Sequence, residues 1–125
     1  MALNETDIAR AVEAAGLLAE PIRAELLLEL EAGALSVNEL AVRLGLAQPR
    51  VSAHLALLRE AGWVTSLVAG RQRRYQLCVP RVPDVIRDLA TLDDEARSRP
   101  IRKVGLARKP RPSEPARAAR LHSHS

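Results

Sequence analysis

Two short helical patterns and a strand pair follow one another between Leu35 and Leu77, and this order constrains the fold most. The segment SVNELAVRLG has the Ser-x-x-Glu pattern of a capping box at Ser36 and Glu39, and a glycine ends it. The segment QPRVSAHLALLREAG repeats aliphatic residues at i, i+4 and i+7 from Val51. The segment WVTSLVAGRQRRYQL has the β-branched residues of a hairpin, joined across Ala69-Gly70. Two helices and a hairpin in this order are the parts of a winged helix-turn-helix domain.

The second helix of this unit has one apolar face and one face of small or polar side chains. Small and polar residues allow close approach to a DNA groove, where acids would be repelled. The helix start adds a positive dipole end for a phosphate. The predicted DNA-binding residues of this helix are Gln48, Pro49, Arg50, Ser52, Ala53, His54 and Arg59. Two of them have an alternative role, since His54 can be a partly buried structural residue and Arg59 an ordinary solvated charge.

The predicted hairpin carries Arg71, Arg73 and Arg74 at its tip and on its returning strand. Because strand side chains alternate between faces, Arg73 and Arg74 cannot both point at the same row of phosphates. We therefore expect Arg71 to be the strongest DNA contact of the wing, and one of the other two to be solvated or ion-paired. Trp63 and Tyr75 are expected to anchor the wing to the core.

Three further helical segments flank this unit. Residues 5–18 carry Ile8 and Val12 on an apolar stripe, and the segment PIRAELLLELEAG places Ile22, Leu26, Leu27 and Leu30 on a buried face. The segment PRVPDVIRDLATLDDEA carries a stripe at Val82, Val85, Ile86 and Leu89. The chain has no Phe, one Trp and one Tyr, so its core must be aliphatic, which suits packed helices. We expect a mainly α fold with about five helices and a two-stranded wing, in one domain over residues 1–96.

Charge is distributed unevenly along the chain. Residues 1–46 carry a net charge of −5 and residues 77–96 one of −3, whereas residues 47–76 carry +4 and residues 97–125 carry +8. An acidic body with one basic face is typical of a nucleic-acid-binding protein. Residues 97–125 are rich in Pro and lack a spaced apolar face. They are predicted to be a basic, disordered tail that either adds affinity for the phosphate backbone or only solubilises the protein.

Cysteine and histidine usage excludes several kinds of site. The lone Cys78 can form neither an internal disulfide nor a thiolate metal site, and we interpret it as a small hydrophobe at a strand end. His122 and His124 are weak metal candidates, because two ligands in a flexible tail do not define a site. Without a glycine-rich phosphate loop or a nucleophile–base pair, an enzyme is not expected. With no signal peptide or long apolar run, the protein is expected to be cytoplasmic.

The run LAEPIRAELLLELEAGALSVNELAVRLGLAQPRVSAHLALLREAGWVTSLVAGRQRRYQL, within about residues 18–78, resembles the ArsR-type (arsenic-repressor) winged-helix regulators. The resemblance lies in an LA-acid-P-x-R segment, a V-x-E-L-A-x-x-L-G-L helix, a Q-P-x-V-S-x-H-L-x-x-L-R-E-A-G helix and a Gly-Arg wing. It implies repression by occupying a roughly palindromic operator in promoter DNA, and release when an inducer binds. It also implies a homodimer in which the first and last helices pair across a two-fold axis. The residues predicted for that contact are Ile8, Val12, Val82, Val85, Ile86 and Leu89.

The chain departs from this family at several positions. Metal-sensing relatives often carry a Cys-x-Cys pair where this chain has Ser36 and Asn38, and others bind zinc or nickel through Asp and His of the last helix, which here has no His. No cofactor is therefore predicted, and a divalent-metal inducer stays open without a complete ligand set in the body. Ala47 stands where relatives tend to have a Ser cap, and Ala53 where they often have a basic residue. These two changes shift the weight of DNA reading to Arg50 and the wing.

The preferred interpretation is a dimeric, sequence-specific repressor that binds double-stranded DNA and is released by an inducer. One alternative is a DNA-binding subunit that has no sensor site and depends on a partner protein. Another is a winged-helix module for protein interaction that no longer binds DNA. The dependence of DNA affinity on salt separates this last alternative from the others.

Overall fold

The structure is a computed structural model that describes residues 2–99, and its elements follow the predicted order. The helices are α1 (Glu5–Leu18), α2 (Pro21–Glu29), α3 (Val37–Leu44), α4 (Gln48–Glu60) and α5 (Val82–Ser98). The strands are β1 (Leu35–Ser36), β2 (Val64–Ala69) and β3 (Gln72–Leu77), and a 3₁₀ turn over Leu30–Ala32 follows α2. The chain divides into two compact units, Met1–Glu95 and Ala96–Ser125, and the first holds every element except the last three residues of α5.

The helix ends are set by local capping. Ser36 Oγ accepts from the Glu39 N–H at 3.1 Å while Glu39 Oε1 accepts from the Ser36 N–H at 2.9 Å, so the predicted capping box of α3 is confirmed. Gly45 ends α3 with a φ of 67°, which an L side chain adopts only with strain. Asn4 and Asp7 form a second capping box at the start of α1, which the sequence analysis missed. These short-range bonds fix where α1 and α3 start before any packing is considered.

The core is formed mainly by aliphatic side chains of α2, α3 and α4. The predicted buried face of α2 is confirmed, and it meets Leu40 of α3 and the predicted buried face of α4. Trp63, directly before β2, and Tyr75, on β3, are half-buried and pack against this core, as predicted. Val82 is fully part of the core and holds the start of α5 against it. None of the helices within residues 2–99 is both long and apolar enough to cross a membrane.

The sheet has three antiparallel strands in the order β1-β3-β2, one more than the predicted two-stranded wing. The third strand is β1, whose two residues pair with Tyr75 and Arg74 of β3. In the hairpin Ala69 pairs with Gln72, so the connecting residues are Gly70 and Arg71, one position later than predicted. Gly70 has a φ of 65°, the conformation for which glycine was expected there. β1 therefore ties the base of the wing to the start of α3.

The C-terminal boundary differs from the expectation. The tail was predicted from residue 97, but α5 continues to Ser98. Residues 100–125, which contain the weak metal candidates His122 and His124, lie outside the described residues. Cys78 directly follows β3 as expected, but it is exposed and does not pack as a core side chain.

Candidate nucleic-acid interface

Helix α4 presents a narrow, exposed surface of small side chains opposite its core face. Val51, Leu55 and Leu58 are buried. On the other side the exposed residues are Pro49, Ser52, Ala53 and Ala56. With no long side chain in this row, the backbone of α4 can approach a groove closely.

Two arginines flank this row of small residues. Arg50 and Arg59 are exposed, and within residues 2–99 neither side chain has a hydrogen bond or an ion pair. At about 100° of rotation per residue they lie on opposite sides of α4. Two uncompensated guanidinium groups on either side of a small-residue face are placed to contact phosphates on both walls of a groove.

His54 is directed toward α2 rather than toward the small-residue row. It is half-buried, and Arg23 Nη1 donates to its Nδ1 at 3.3 Å. Because a guanidinium can only donate, Nδ1 is the acceptor in this hydrogen bond. This environment agrees with the alternative prediction for His54, that it is a partly buried structural residue.

Arg23 is a structural residue that the sequence analysis missed. Its Nε donates to the carbonyl oxygen of Leu17 at 2.8 Å and its Nη2 to that of Gly16 at 3.3 Å. These bonds satisfy carbonyl groups at the C-terminus of α1, where a cation is favoured by the helix dipole. In the sequence, the P-x-R segment at Pro21–Arg23 could have indicated this role of Arg23. Arg23 thus links α1, α2 and α4.

A hydrogen bond between two side-chain amides lies at the N-terminus of α4. Ala47 is the N-cap and makes no side-chain cap bond, as its methyl side chain requires. Gln48 Nε2 donates instead to Asn38 Oδ1 at 2.9 Å. The sequence predicted Gln48 as a DNA-binding residue but considered Asn38 only as a missing metal ligand.

The wing separates its three arginines. Arg71 lies in the turn, exposed and without a side-chain partner in the described part of the chain. Arg73 is exposed on β3, and its Nη1 donates to Ser66 Oγ at 3.5 Å. Arg74 Nη1 lies 3.1 Å from Glu39 Oε1 in an ion pair and donates to the carbonyl oxygen of Ala34. Of the two alternatives expected for one member of this pair, solvated or ion-paired, Arg74 has the second.

Glu39 therefore has two roles at once. It caps α3 through the Ser36 N–H, and it holds Arg74 of the wing. The hydrogen bond from the Ser36 N–H, and then the charge of Arg74, lower the pKa of the Glu39 carboxyl below its ordinary value. The carboxylate is thus kept in the charged form that orients the base of the wing.

Two helices expose aliphatic side chains away from the DNA face. Ile8 and Val12 of α1 are 51% and 66% exposed, and Val85 and Leu89 of α5 are 37% and 47% exposed. Leu3, just before α1, and Leu92 of α5 are exposed as well and were not predicted. Of the other predicted dimer residues, Val82 is only 6% exposed and belongs to the core, and Ile86 packs against the core. The apolar stripe of α5 predicted from the sequence therefore contains both core and surface residues. The reason is that α5 is buried at its start, at Val82, and exposed farther along, at Leu89.

The described residues do not assemble a metal centre. Within residues 2–99, no group of three or more His, Cys, Asp and Glu side chains is arranged to hold a metal ion. Ser36 and Asn38, at the positions of the Cys-x-Cys pair in metal-sensing relatives, are a helix cap and the partner of Gln48.

Comparison with known proteins places this arrangement among bacterial regulators. Residues 20–66 match the model of the family described as "Bacterial regulatory protein, arsR family". The probable mercury resistance operon repressor of Streptomyces lividans is 38% identical over 69 residues, and the match covers 55% of each chain. The biofilm growth-associated repressor of Xylella fastidiosa is 35% identical over 86 residues, which are 66% of this chain and 75% of that protein. The chain spans about half the length of the first of these relatives.

Solved structures agree with this placement. HlyU from Vibrio cholerae N16961 superposes with a TM-score of 0.63 at 35% identity, and the match covers 71% of this chain and 97% of HlyU. The chain therefore shares the fold of that structure over 71% of its length.

Proposed function

Because this chain belongs to the arsR family of bacterial regulatory proteins, we propose that it is a homodimeric transcriptional repressor. It binds double-stranded promoter DNA sequence-specifically, at a roughly palindromic operator. The observation that carries the proposal is the combination of a small-residue face on α4 with three arginines that are exposed and, within residues 2–99, unpaired. These are Arg50 and Arg59 beside the face and Arg71 at the tip of the wing. Because these relatives are named as repressors, repression of transcription is proposed rather than activation.

The arginines and the small-residue face have separate roles in this proposal. Arg71 extends from a hairpin tip and is suited to a phosphate, which positions the protein without reading sequence. The face around Ser52 and Ala53 lies against base edges, where Ser can donate or accept and a methyl group can meet the thymine methyl. Arg50, near the N-terminal end of α4, is placed for either a guanine edge or a phosphate.

Dimer formation through α1 and α5 supplies the symmetry. Each aliphatic side chain that goes from exposed to fully buried contributes roughly 1.5–3 kcal/mol, so burial of the stripes containing Val12 and Leu89 favours association. Two copies of α4 related by a two-fold axis would meet successive major grooves about 34–36 Å apart. The operator half-sites are then separated by about one helical turn.

The inducer is proposed to be something other than a metal ion bound by the body of the chain, because residues 2–99 contain no group of side chains arranged to hold one. Ser36 and Asn38 have hydroxyl and amide groups already engaged in bonds within the protein. A titration of the protein–DNA complex with zinc, nickel and cadmium tests this. A release of DNA that persists in a His122→Ala/His124→Ala variant would contradict it and place a sensor in the body.

The proposal as a whole is tested by selecting duplexes from a random library with the purified chain. Affinity for the selected duplex is then compared with that for a scrambled one. We expect a two-fold-symmetric consensus and a marked loss of affinity in Arg50→Ala. Arg10→Ala is the matched control, because Arg10 is an exposed arginine of α1 outside the DNA face. Failure to enrich any sequence, or an equal loss in both variants, would refute the proposal.

A further inference from the structure

The start of the DNA-facing helix is attached to the preceding helix by one bond between exposed amides. Gln48 is the first residue of α4, and its Nε2 donates to Oδ1 of Asn38 at 2.9 Å. This is the only side-chain hydrogen bond that joins α3 to α4 within residues 2–99. With Ala47 giving no cap, the amide pair supplies the side-chain restraint at that helix end.

Asn38 and Gln48 both lie next to backbone segments whose conformation is fixed by other hydrogen bonds. Asn38 lies in the first turn of α3, between the two residues of the capping box. Gln48 follows a turn in which Gly45 is left-handed and the Leu46 N–H donates to the carbonyl oxygen of Ala41 at 3.0 Å. The hydrogen bond between the two side-chain amides therefore joins two rigid positions of the backbone. It restrains the Gln48 side chain rather than the backbone.

The chemistry of the bond determines what Gln48 has left to offer. A carboxamide has one carbonyl acceptor and two N–H donors. Asn38 uses one donor, which leaves Oε1 and the second N–H of Gln48 free. One acceptor beside one donor is the set that contacts adenine in the major groove, accepting from N6–H and donating to N7.

The bond also selects one of two amide orientations. A half-turn about the last side-chain torsion exchanges oxygen and nitrogen, and would present a donor where adenine has its N6–H donor. Because the Asn38 atom in the bond is an acceptor oxygen, it favours the orientation with the Gln48 nitrogen toward α3. An unrestrained glutamine would have to be ordered during binding, which costs affinity.

We infer that Asn38 is a positioning residue that orients the carboxamide of Gln48 to read an adenine in each half of the operator. This inference rests on the proposed function, since it concerns how that DNA surface distinguishes bases. It gives Asn38 a role in sequence preference without requiring it to touch a base. A Gln48 contact to phosphate, the alternative use of the same group, would affect all duplexes alike.

The test measures base preference at each position of the library-selected duplex for the full-length chain and its variants. Gln48→Ala is expected to reduce the preference at one A·T pair per half-site by roughly 5- to 150-fold, the range for a bidentate base contact. Asn38→Ala is expected to reduce it at the same pair by about 2- to 10-fold, the worth of one neutral hydrogen bond. In the Gln48→Ala background, Asn38→Ala should have no further effect on preference.

Asn38→Asp is the matched conservative variant. It keeps an acceptor for Gln48 Nε2, so the adenine preference should remain, while its added charge weakens binding to specific and scrambled duplexes alike. A role of Asn38 in folding alone would lower affinity for all sequences and leave the preference unchanged. Far-UV circular dichroism and thermal melts establish that each variant is folded.

The outcomes separate this inference from the proposed function. If the wild type selects a consensus and Asn38→Ala leaves base preference unchanged at every position, the positioning role is refuted and the repressor assignment stands. The same holds if the pair that depends on Gln48 is not A·T, or if Gln48→Ala changes only overall affinity. If the wild type selects no sequence at all, both fail.

Discussion

Replacing Arg71 by Ala is the change that most directly tests how the wing binds DNA. Arg71 is one of the two residues between paired Ala69 and Gln72, it is exposed, and within residues 2–99 its charge is uncompensated. Each phosphate neutralised by a cation contributes about −0.9 to the slope of log K against log salt concentration. A dimer has two wings, so Arg71→Ala should make the slope shallower by about 1.8.

The same reasoning gives the loss of affinity. If the two contacts act only through counterion release, the ratio of wild-type to variant affinity varies as the salt concentration to the power of about −1.8. The ratio is then about 60 at 0.1 M salt and about 9 at 0.3 M, and it approaches one near 1 M. Fluorescence anisotropy of a labelled, library-selected duplex across this range measures both the slope and the ratio.

Arg74→Ala is the comparison within the same strand. Arg74 is held by Glu39 and by the carbonyl oxygen of Ala34, so its removal should leave the salt slope at the wild-type value. Equal slopes for wild type and Arg71→Ala would refute the assignment of the wing tip to a phosphate. A shallower slope in Arg74→Ala alone would mean that the opposite face of the hairpin meets DNA.

Three further changes test the capping, the turn and the dimer. The depressed pKa of Glu39 contributes stability that is present above the ordinary glutamate value of 4.5 and is lost as the pH falls through the lower folded value. Urea unfolding as a function of pH should therefore show a smaller loss of stability in Glu39→Gln over that acidic range than in the wild type. Gly45→Ala places a Cβ in open space at a φ of 67°, so urea unfolding should show a loss of about 1–2 kcal/mol from backbone strain alone. Leu89→Glu should give a monomer in light scattering while Thr91→Glu, on the other side of α5, stays dimeric, and a dimer in both would contradict the assigned surface.

The parts of the fold that were predictable from sequence are those determined by near neighbours. The capping box of Ser36 and Glu39 and the left-handed Gly45 act within a few residues, and the predicted bounds of α1 agree with Glu5–Leu18. Strand β1 was not predictable in this way. Two residues carry no periodicity, and their extended conformation depends on pairing with Tyr75 and Arg74 far along the chain.

The candidate site shows the same division. The exposure of Arg71 follows from its place at the tip of the hairpin, which the sequence predicts to within one residue. The partners of His54 and Arg74 do not follow, because Arg23 is 31 positions from His54 and Glu39 is 35 positions from Arg74. A pattern of basic residues identifies a DNA-binding surface, but tertiary contacts decide which members remain free to bind.

The number of arginines that remain free limits how steeply the DNA affinity supplied by residues 47–76 can depend on salt concentration. Residues 47–76 contain five arginines, but Arg74 is neutralised by Glu39, which leaves Arg50, Arg59, Arg71 and Arg73 in each protomer. Eight such groups in a dimer correspond to a salt slope of at most about −7. A measured slope steeper than this requires cations outside residues 47–76, and residues 97–125 supply the largest group, with nine Lys or Arg against one Glu. The excess slope should then disappear when those cations are replaced by neutral residues, while base preference, which depends on α4, should not change.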